Sequence, residues 1–292
     1  MSLLLTLLLP VAGVWAAPTD AGQSAFNFSP GHVTVLLFIL MMAALLFWFF
    51  DRIRRHPESL FVRRIAGIDA IEEAIGRCTE MGRPLLYVPG IEDMQDIQTI
   101  ASMLILGKVA ETTARYKSQI YVPCRVPFVM SVAEEMVRQG FYNAGLPEDH
   151  RPENISFISD EQFAFTAGVN GIMMRERPAA NLFLGRFFAE SLILSETGFQ
   201  AKAIQVAGTA EVTQLPFFIA ACDYTLIGEE LFAASAYLSR DPKLLSNLKA
   251  TDWFKVICIV LMVLGSVLVT LDSLGLRSTD FRPAHFIDWF QI

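Results

Sequence analysis

The chain lacks the short motifs by which most metal-binding and cofactor-binding proteins are recognised. It has four cysteines and four histidines, but no Cys-x-x-Cys pair and no spacing typical of zinc or haem ligation. We therefore expect no bound metal and no cofactor. Widely separated cysteines are typical of small buried side chains in a reducing compartment. They are Cys78, Cys124, Cys222 and Cys258.

Phosphate-binding loops and long basic stretches are also missing. No G-x-x-x-x-G-K-[ST] loop and no G-x-G-x-x-G fingerprint occurs, which argues against Walker-type NTPases and dinucleotide enzymes. No serine lies in a G-x-S-x-G elbow, so nothing specific favours a hydrolase. The net charge of −7 argues against a nucleic-acid partner. No catalytic residue can be assigned from the sequence.

What the chain does have is two long apolar runs, at residues 33–50 and 253–271. A helix needs roughly 17–25 apolar residues to cross the hydrocarbon of a bilayer. Both runs fall at or near that length, and neither contains an acidic residue. We predict two transmembrane helices that flank a globular segment, with the lipid bilayer as the first partner.

Arginines after the first run indicate the orientation of the chain. Five of them follow it closely, whereas residues 18–32 contain no Lys or Arg. Because basic flanks stay in the cytoplasm, we predict a basic linker at 51–64 and a cytoplasmic domain at 65–250. Residues 18–32 and the tail at 272–292 are then extracytoplasmic. The five topology residues are Arg52, Arg54, Arg55, Arg63 and Arg64.

Residues 1–17 are Leu-rich and end in small residues, which is typical of a signal peptide. No basic residue precedes the apolar stretch, however, and Pro10 interrupts it. The alternative is a retained third span, although the stretch is shorter than the roughly 17 residues that spanning requires.

Between residues 65 and 250, short β-rich runs alternate with longer helical ones. This alternation predicts a doubly wound, mainly parallel α/β sheet, which is a Rossmann-like cytoplasmic domain flanked by the two transmembrane helices. The predicted strands are 83–90, 118–125, 155–160, 181–184, 203–207 and 217–223. The predicted helices are 69–81, 96–116, 127–139 with a stop at Gly140, 160–175, 186–196 and 227–238. The Gly-Val-Asn-Gly segment at 168–171 lies inside or after a helical run, and we interpret it as a helix end.

The carboxyl-terminal half of this domain is unusually apolar. Core packing would account for two such stretches, but an exposed patch of several hundred Å² is typical of a self-association surface. We expect a homo-oligomer or a membrane protein complex. The apolar stretches contain Phe183, Phe187, Phe188, Leu192, Ile193 and Leu194, and then Phe232, Ala233, Ala234, Ala236 and Tyr237.

Ligands of doubly wound sheets bind at the carboxyl ends of the strands. Polar residues and glycines follow the predicted strands here, and they could bind a nucleotide, a small anion or a divalent metal. Turns and helix N-caps favour the same residue types without any ligand. The candidate ligand-binding residues are Gly90, Arg125, Asp160, Gly208, Thr209 and Asp223.

An acidic set could converge on a divalent cation if the strand ends are adjacent. No D-x-D spacing ties its members together, and two of them begin a helix, where carboxylates stabilise the helix dipole. The set is Asp93, Asp160, Asp223, Glu229 and Glu230.

Segments 83–90, 96–102, 214–218 and 222–231 give the chain a resemblance to a family of uncharacterised bacterial membrane proteins. The likeness covers roughly residues 65–270 and includes the final apolar run. It implies a bacterial inner membrane and a domain of unknown function, and it implies no activity and no functional residues.

Two functional hypotheses follow. The first is a membrane-anchored, non-enzymatic scaffold with a self-associating cytoplasmic domain. The second is a ligand-responsive or enzymatic domain that uses the strand carboxyl ends. A transporter is disfavoured, because two spans without an intramembrane carboxylate do not line a pathway unless many copies assemble.

Overall fold

A computed structural model describes residues 30–55, 66–239 and 242–273. The predicted signal peptide at 1–17, Arg63, Arg64 and the tail from residue 274 lie outside the described residues. The chain divides into two compact units. One contains the described residues up to Leu45 and those from Phe254, and the other contains those from Leu46 to Trp253.

Two long helices coincide with the apolar runs. Helix α1 extends over Pro30–Arg55 and helix α9 over Pro242–Ser273. In α9, the segment Lys243–Val267 is long and apolar enough to cross a membrane, and no other helix among the described residues meets the same test. One candidate span is thus found, whereas a pair of spans stays a prediction.

The second unit is built on a six-stranded parallel sheet with the order β3-β2-β1-β4-β5-β6. This is the doubly wound Rossmann order, so the predicted α/β class is confirmed. The strands are β1 at Leu85–Val88, β2 at Ile120–Cys124, β3 at Ile155–Phe157, β4 at Ala180–Leu184, β5 at Ile204–Thr209 and β6 at Tyr224–Ile227.

Helices cover both faces of the sheet, which explains why the central strands are apolar on both sides. Helices α2, α3, α4 and α8 pack on the face that carries Leu85 and Tyr87. Helices α5, α6 and α7 pack on the face of Leu86 and Val88. The bounds are α2 Ala66–Met81, α3 Ile97–Arg115, α4 Pro127–Asn143, α5 Gln162–Glu176, α6 Glu190–Gln200, α7 Leu215–Ala221 and α8 Glu229–Ser239.

The predicted strand at 217–223 is wrong, because these residues belong to α7 and to the turn after it. A continuous apolar run does not distinguish a buried strand from a short helix by periodicity. Pro216 lies in the first turn of α7, a position that proline favours. The sixth strand begins one residue after the predicted one ends, at Tyr224.

One predicted helix end is also wrong, because α4 continues through Gly140 to Asn143. The predicted helix at 160–175 is confirmed by α5, and the glycines at 168 and 171 lie inside it and do not end it. Gly140 is a contact residue, because a Cβ atom there would lie 2.8 Å from the Ala110 Cβ and 2.8 Å from the Gly107 oxygen of α3. The glycine therefore allows α3 and α4 to approach closely.

The buried thiols fit the prediction that the cysteines are packing residues. Cys78 and Cys124 are buried, and burial raises the pKa of each to about 12. Burial also raises the pKa of Cys222 to about 12. All three are therefore protonated and weakly nucleophilic at neutral pH.

We predict that Gly140→Ala destabilises the domain by about 1–3 kcal/mol, because the added methyl overlaps α3. Gly171→Ala is the matched control. It lies inside α5, and a Cβ atom there meets nothing within 4 Å. Alanine should therefore stabilise by about 0.5–1 kcal/mol. Denaturant unfolding of both variants checks this, and equal effects would contradict a close α3–α4 crossing.

Candidate functional site

The switch point of the sheet lies between β1 and β4. Helix α3 follows β1 on one face, and α6 follows β4 on the other. In sheets of this order, ligands bind in the crevice where two neighbouring loops diverge to opposite faces. A ligand site of this fold is therefore expected at the ends of these two strands.

Main-chain contacts close this crevice. The Ile91 N–H donates to the Arg186 carbonyl oxygen at 3.0 Å. A Cβ atom at Gly90 would lie 2.8 Å from the Arg186 nitrogen, and one at Gly185 would lie 2.5 Å from the Pro89 oxygen. The two loops are thus in direct contact at the switch point, beside which the ligands of dinucleotide-binding sheets lie.

Positive φ angles permit this contact. Gly90 has φ +86° and Gly185 has φ +136°, conformations that residues with a side chain rarely adopt. Gly90 was predicted as a ligand-binding residue. In the structure its backbone lies against Gly185 and Arg186 of the β4 loop, and ligand binding by Gly90 stays a prediction.

Arg125, at the end of β2, connects three loops through carbonyl oxygens. Its Nε donates to the Asp160 carbonyl at 2.9 Å, and its Nη1 donates to the Ile91 carbonyl at 2.7 Å. Arg125 and Asp160, both predicted site residues, therefore meet at the carboxyl edge. They do so through the main chain of Asp160.

Arg186 forms the second connection at this edge. Its Nη1 lies 2.8 Å from Asp96 Oδ2, and its Nη2 lies 3.2 Å from Glu211 Oε2. Hydrogen bonds to these two carboxylates raise the pKa of the Arg186 guanidinium. Asp96 also caps α3 by accepting from the Gln98 N–H at 2.7 Å. Arg186 is not among the ligand-binding residues predicted from the sequence, although the sequence places it just after the β4 segment.

The turn after β5 carries the predicted residues Gly208 and Thr209. A Cβ atom at Gly208 would lie 2.7 Å from Leu184 Cδ2, so a larger residue there would displace the Leu184 side chain. Thr209 Oγ1 donates to Gln98 Oε1 at 3.2 Å, and the Ala210 N–H donates to the same oxygen at 2.7 Å. The turn groups that could have bound an anion are therefore bonded to α3.

Asp223 is not part of this edge. It precedes β6, so it lies at the amino edge of the sheet, and its predicted place at a strand carboxyl end is wrong. Its Oδ2 accepts from the Gln205 N–H at 2.8 Å, and its own N–H donates to the Gln205 oxygen at 3.0 Å. The misplaced strand at 217–223 caused this error.

The acidic set does not assemble either. Asp93 Oδ1 accepts from the Met94 N–H at 2.7 Å, and Glu230 Oε2 accepts from the Ile227 N–H at 3.1 Å. Within the described ranges, no three His, Cys, Asp or Glu side chains form a metal-ligating group.

Of the topology arginines, Arg52 stacks its guanidinium on the Trp48 ring at 5.6 Å from the ring centre. Arg54 and Arg55 are the last residues of α1. An Arg–Trp pair at the end of an apolar helix is typical of a membrane–water interface.

The fold and the edge geometry define a Rossmann-like α/β domain in a chain that also carries a helix long and apolar enough to cross a membrane. Residues 23–279 match the family described as DUF6754, a domain of unknown function, and the chain belongs to that family. Neither the comparison with curated proteins nor the comparison with solved structures gives a match.

We predict that Gly90→Ala destabilises the domain by at least about 2 kcal/mol, because left-handed strain adds to overlap with the Arg186 backbone. Gly145→Ala is the control, because it measures the cost of the left-handed backbone without any overlap. Gly145 has φ +77°, but a Cβ atom there meets nothing within 4 Å, so the expected cost is about 1 kcal/mol. Equal losses of unfolding free energy would show that the β1 and β4 loops do not press together.

Proposed function

We propose that this protein is a membrane-anchored, non-enzymatic scaffold whose α/β domain self-associates. The observation that carries the proposal is the contact between the two loops at the switch point, where the Ile91 N–H bonds to the Arg186 carbonyl. A nucleotide enzyme of this fold needs that space for its ligand. Here Arg125 and Arg186, the cations at this edge, bind protein carbonyls and carboxylates.

The proposed location is a bacterial inner membrane, with α1 and α9 as transmembrane helices and the α/β domain in the cytoplasm. The arginines after the first apolar run support this orientation. The Trp48–Arg52 pair supports an interface at the end of α1. The family resemblance supports the bacterial membrane.

We expect a phosphatase reporter inserted after Glu148 to be inactive and a fluorescent reporter at the same site to be bright. Glu148 lies in an exposed turn, Pro147–Asp149, so insertion should leave the fold intact. Activity assays in whole cells measure both reporters. An active phosphatase would place the domain outside the cytoplasm and overturn the proposed topology.

Burial divides the apolar stretches into two kinds. Phe183, Phe187 and Leu194 are fully buried, as are Ala234 and Ala236. Phe232 and Tyr237 pack against the core. Phe188 is half-buried, as is Ala233. Core packing therefore accounts for α8, and exposed apolar surface remains on α6.

Helices α6 and α7 each expose apolar side chains, which we call the α6–α7 apolar surface. Its main residues are Phe199, 72% exposed, Ile219, 54%, Leu192, 45%, and Phe217, 39%. The two helices are neighbours, since Ser191 Oγ donates to Gln214 Oε1 at 2.7 Å. Exposed apolar patches of this kind are uncommon on monomers.

A second copy of the chain is the occupant that best fits the α6–α7 apolar surface. The seven residues of α7 include no charged side chain, so two copies can meet through α7 without burying an unpaired charge. On α6 the exposed Glu196 lies between Leu192 and Phe199, so this carboxylate would stay at the rim of the contact. The four main side chains expose on the order of 400 Å², about half of what each partner buries in a standard interface. Membrane anchoring adds a high local concentration.

We predict that Phe199→Ser with Ile219→Ser weakens self-association on the order of tenfold or more, because each removes an exposed apolar anchor. Tyr142→Ser is the control, since Tyr142 is 71% exposed on α4. Chemical cross-linking of the full chain in native membranes at endogenous expression measures the dimer fraction.

A purely monomeric unmutated chain would overturn the self-association proposal. A large thermal shift of the purified full chain with one nucleotide or divalent metal would instead favour the ligand-binding hypothesis. A ligand at a hundredfold excess over its Kd stabilises a fold by about 2.7 kcal/mol.

A further inference from the structure

Two clefts open at the amino edge of the sheet, opposite the edge where ligands of this fold usually bind. One has a volume of about 260 Å³ and the other about 270 Å³. They share a wall formed by Lys117, Ser118 and Gln119, the residues that connect α3 to β2. The first cleft also contains Arg151 and Asn154, and the second contains Arg83.

Three cations of these clefts make no side-chain hydrogen bond and no ion pair within the described residues. They are Arg83, Lys117 and Arg151. This contrasts with Arg125 and Arg186 at the other edge, whose guanidinium groups are bonded to neighbouring loops. The amino edge thus offers positive charge that the fold does not use for its own stability.

Main-chain bonds hold the shared wall in a fixed shape. Lys117 has φ +54°. Its N–H donates to the Ala114 oxygen at 2.9 Å, and the Ser118 N–H donates to the Thr113 oxygen at 3.1 Å. The Ser118 hydroxyl lies 3.1 Å from the Thr79 hydroxyl. A ligand would therefore meet a wall that is already ordered.

The floor of the first cleft is apolar and buried, with Ile120 and Phe141 among its residues. An apolar floor strengthens electrostatic attraction above it by lowering the local dielectric constant. His150 packs edge-on against Phe141, and its Nε2 is buried without a partner in the described part of the chain. One carboxylate, that of Asp149, lies in the same cleft.

We propose that the amino-edge clefts bind a phosphate group. Lys117, Arg83 and Arg151 supply the positive charge, and the Ser118 hydroxyl and the Asn154 amide supply neutral donors. Arginine and lysine together are the side chains that best recognise phosphate oxygens. The phosphate belongs either to a soluble compound or to the headgroup of an anionic lipid, since both present the same oxygens. This site goes beyond the scaffold role and does not depend on self-association.

The test is lysine acylation of the full chain in lipid nanodiscs, read by mass spectrometry. In discs of neutral lipid, sodium pyrophosphate should slow the acylation of Lys117 several-fold if the phosphate is soluble. If the phosphate group belongs to a lipid headgroup, Lys117 should be protected from acylation in discs that contain phosphatidylglycerol, without added pyrophosphate. Lys202 is the internal control, because it is also exposed, follows a helix and has φ +56°.

Variants then identify the residues responsible, in whichever arm gives protection. Arg83→Gln and Arg151→Gln should weaken binding roughly tenfold each, because each removes a charge-assisted hydrogen bond and leaves Lys117 as the readout. Lys202→Gln should change nothing, and Asp149→Asn should strengthen binding by removing a repulsive charge. Equal acylation of Lys117 and Lys202 in both arms would overturn the proposal, as would equal affinities of all four variants.

Discussion

A single main-chain hydrogen bond, from the Ile91 N–H to the Arg186 carbonyl oxygen, determines what the carboxyl edge of this sheet can do. It joins the two loops that diverge at the centre of the fold, and it exists because glycines on both sides allow the backbones to touch. Arg125 and Arg186 then bind the remaining loops to this junction. Both arginines of this edge are thus bonded to neighbouring loops.

This arrangement separates two roles that usually coincide in doubly wound domains. The carboxyl edge stabilises the junction of the strands, while free positive charge and open clefts lie at the amino edge. The α6–α7 apolar surface provides a third, chemically different region. A scaffold benefits from such a division, because partners that bind to different regions do not compete.

Much of the fold was predictable from the sequence, and the reason differs between elements. The β1, β2 and β4 segments carry apolar side chains toward both faces, and α3 repeats its buried residues at helical spacing. Phe217–Asp223 carries neither signal, since a short apolar run fits a strand and a helix equally. The candidate site was predicted less well. Residue types at strand ends were visible, but the contact of Gly90 with Gly185 depends on backbone angles that no composition reveals.

The strand order also has a consequence for the order of folding. Leu85 in β1 pairs with Ile120 in β2 on one side and with Ala180 in β4 on the other. The first three strands can therefore pair during synthesis. The pairing of β1 with β4, at the middle of the sheet, cannot form until β4 has left the ribosome. Until then one side of β1 is an unpaired apolar edge of the kind that recruits chaperones or wrong partners. A slow step in biogenesis is thus expected at the arrival of β4, before the last apolar helix is made.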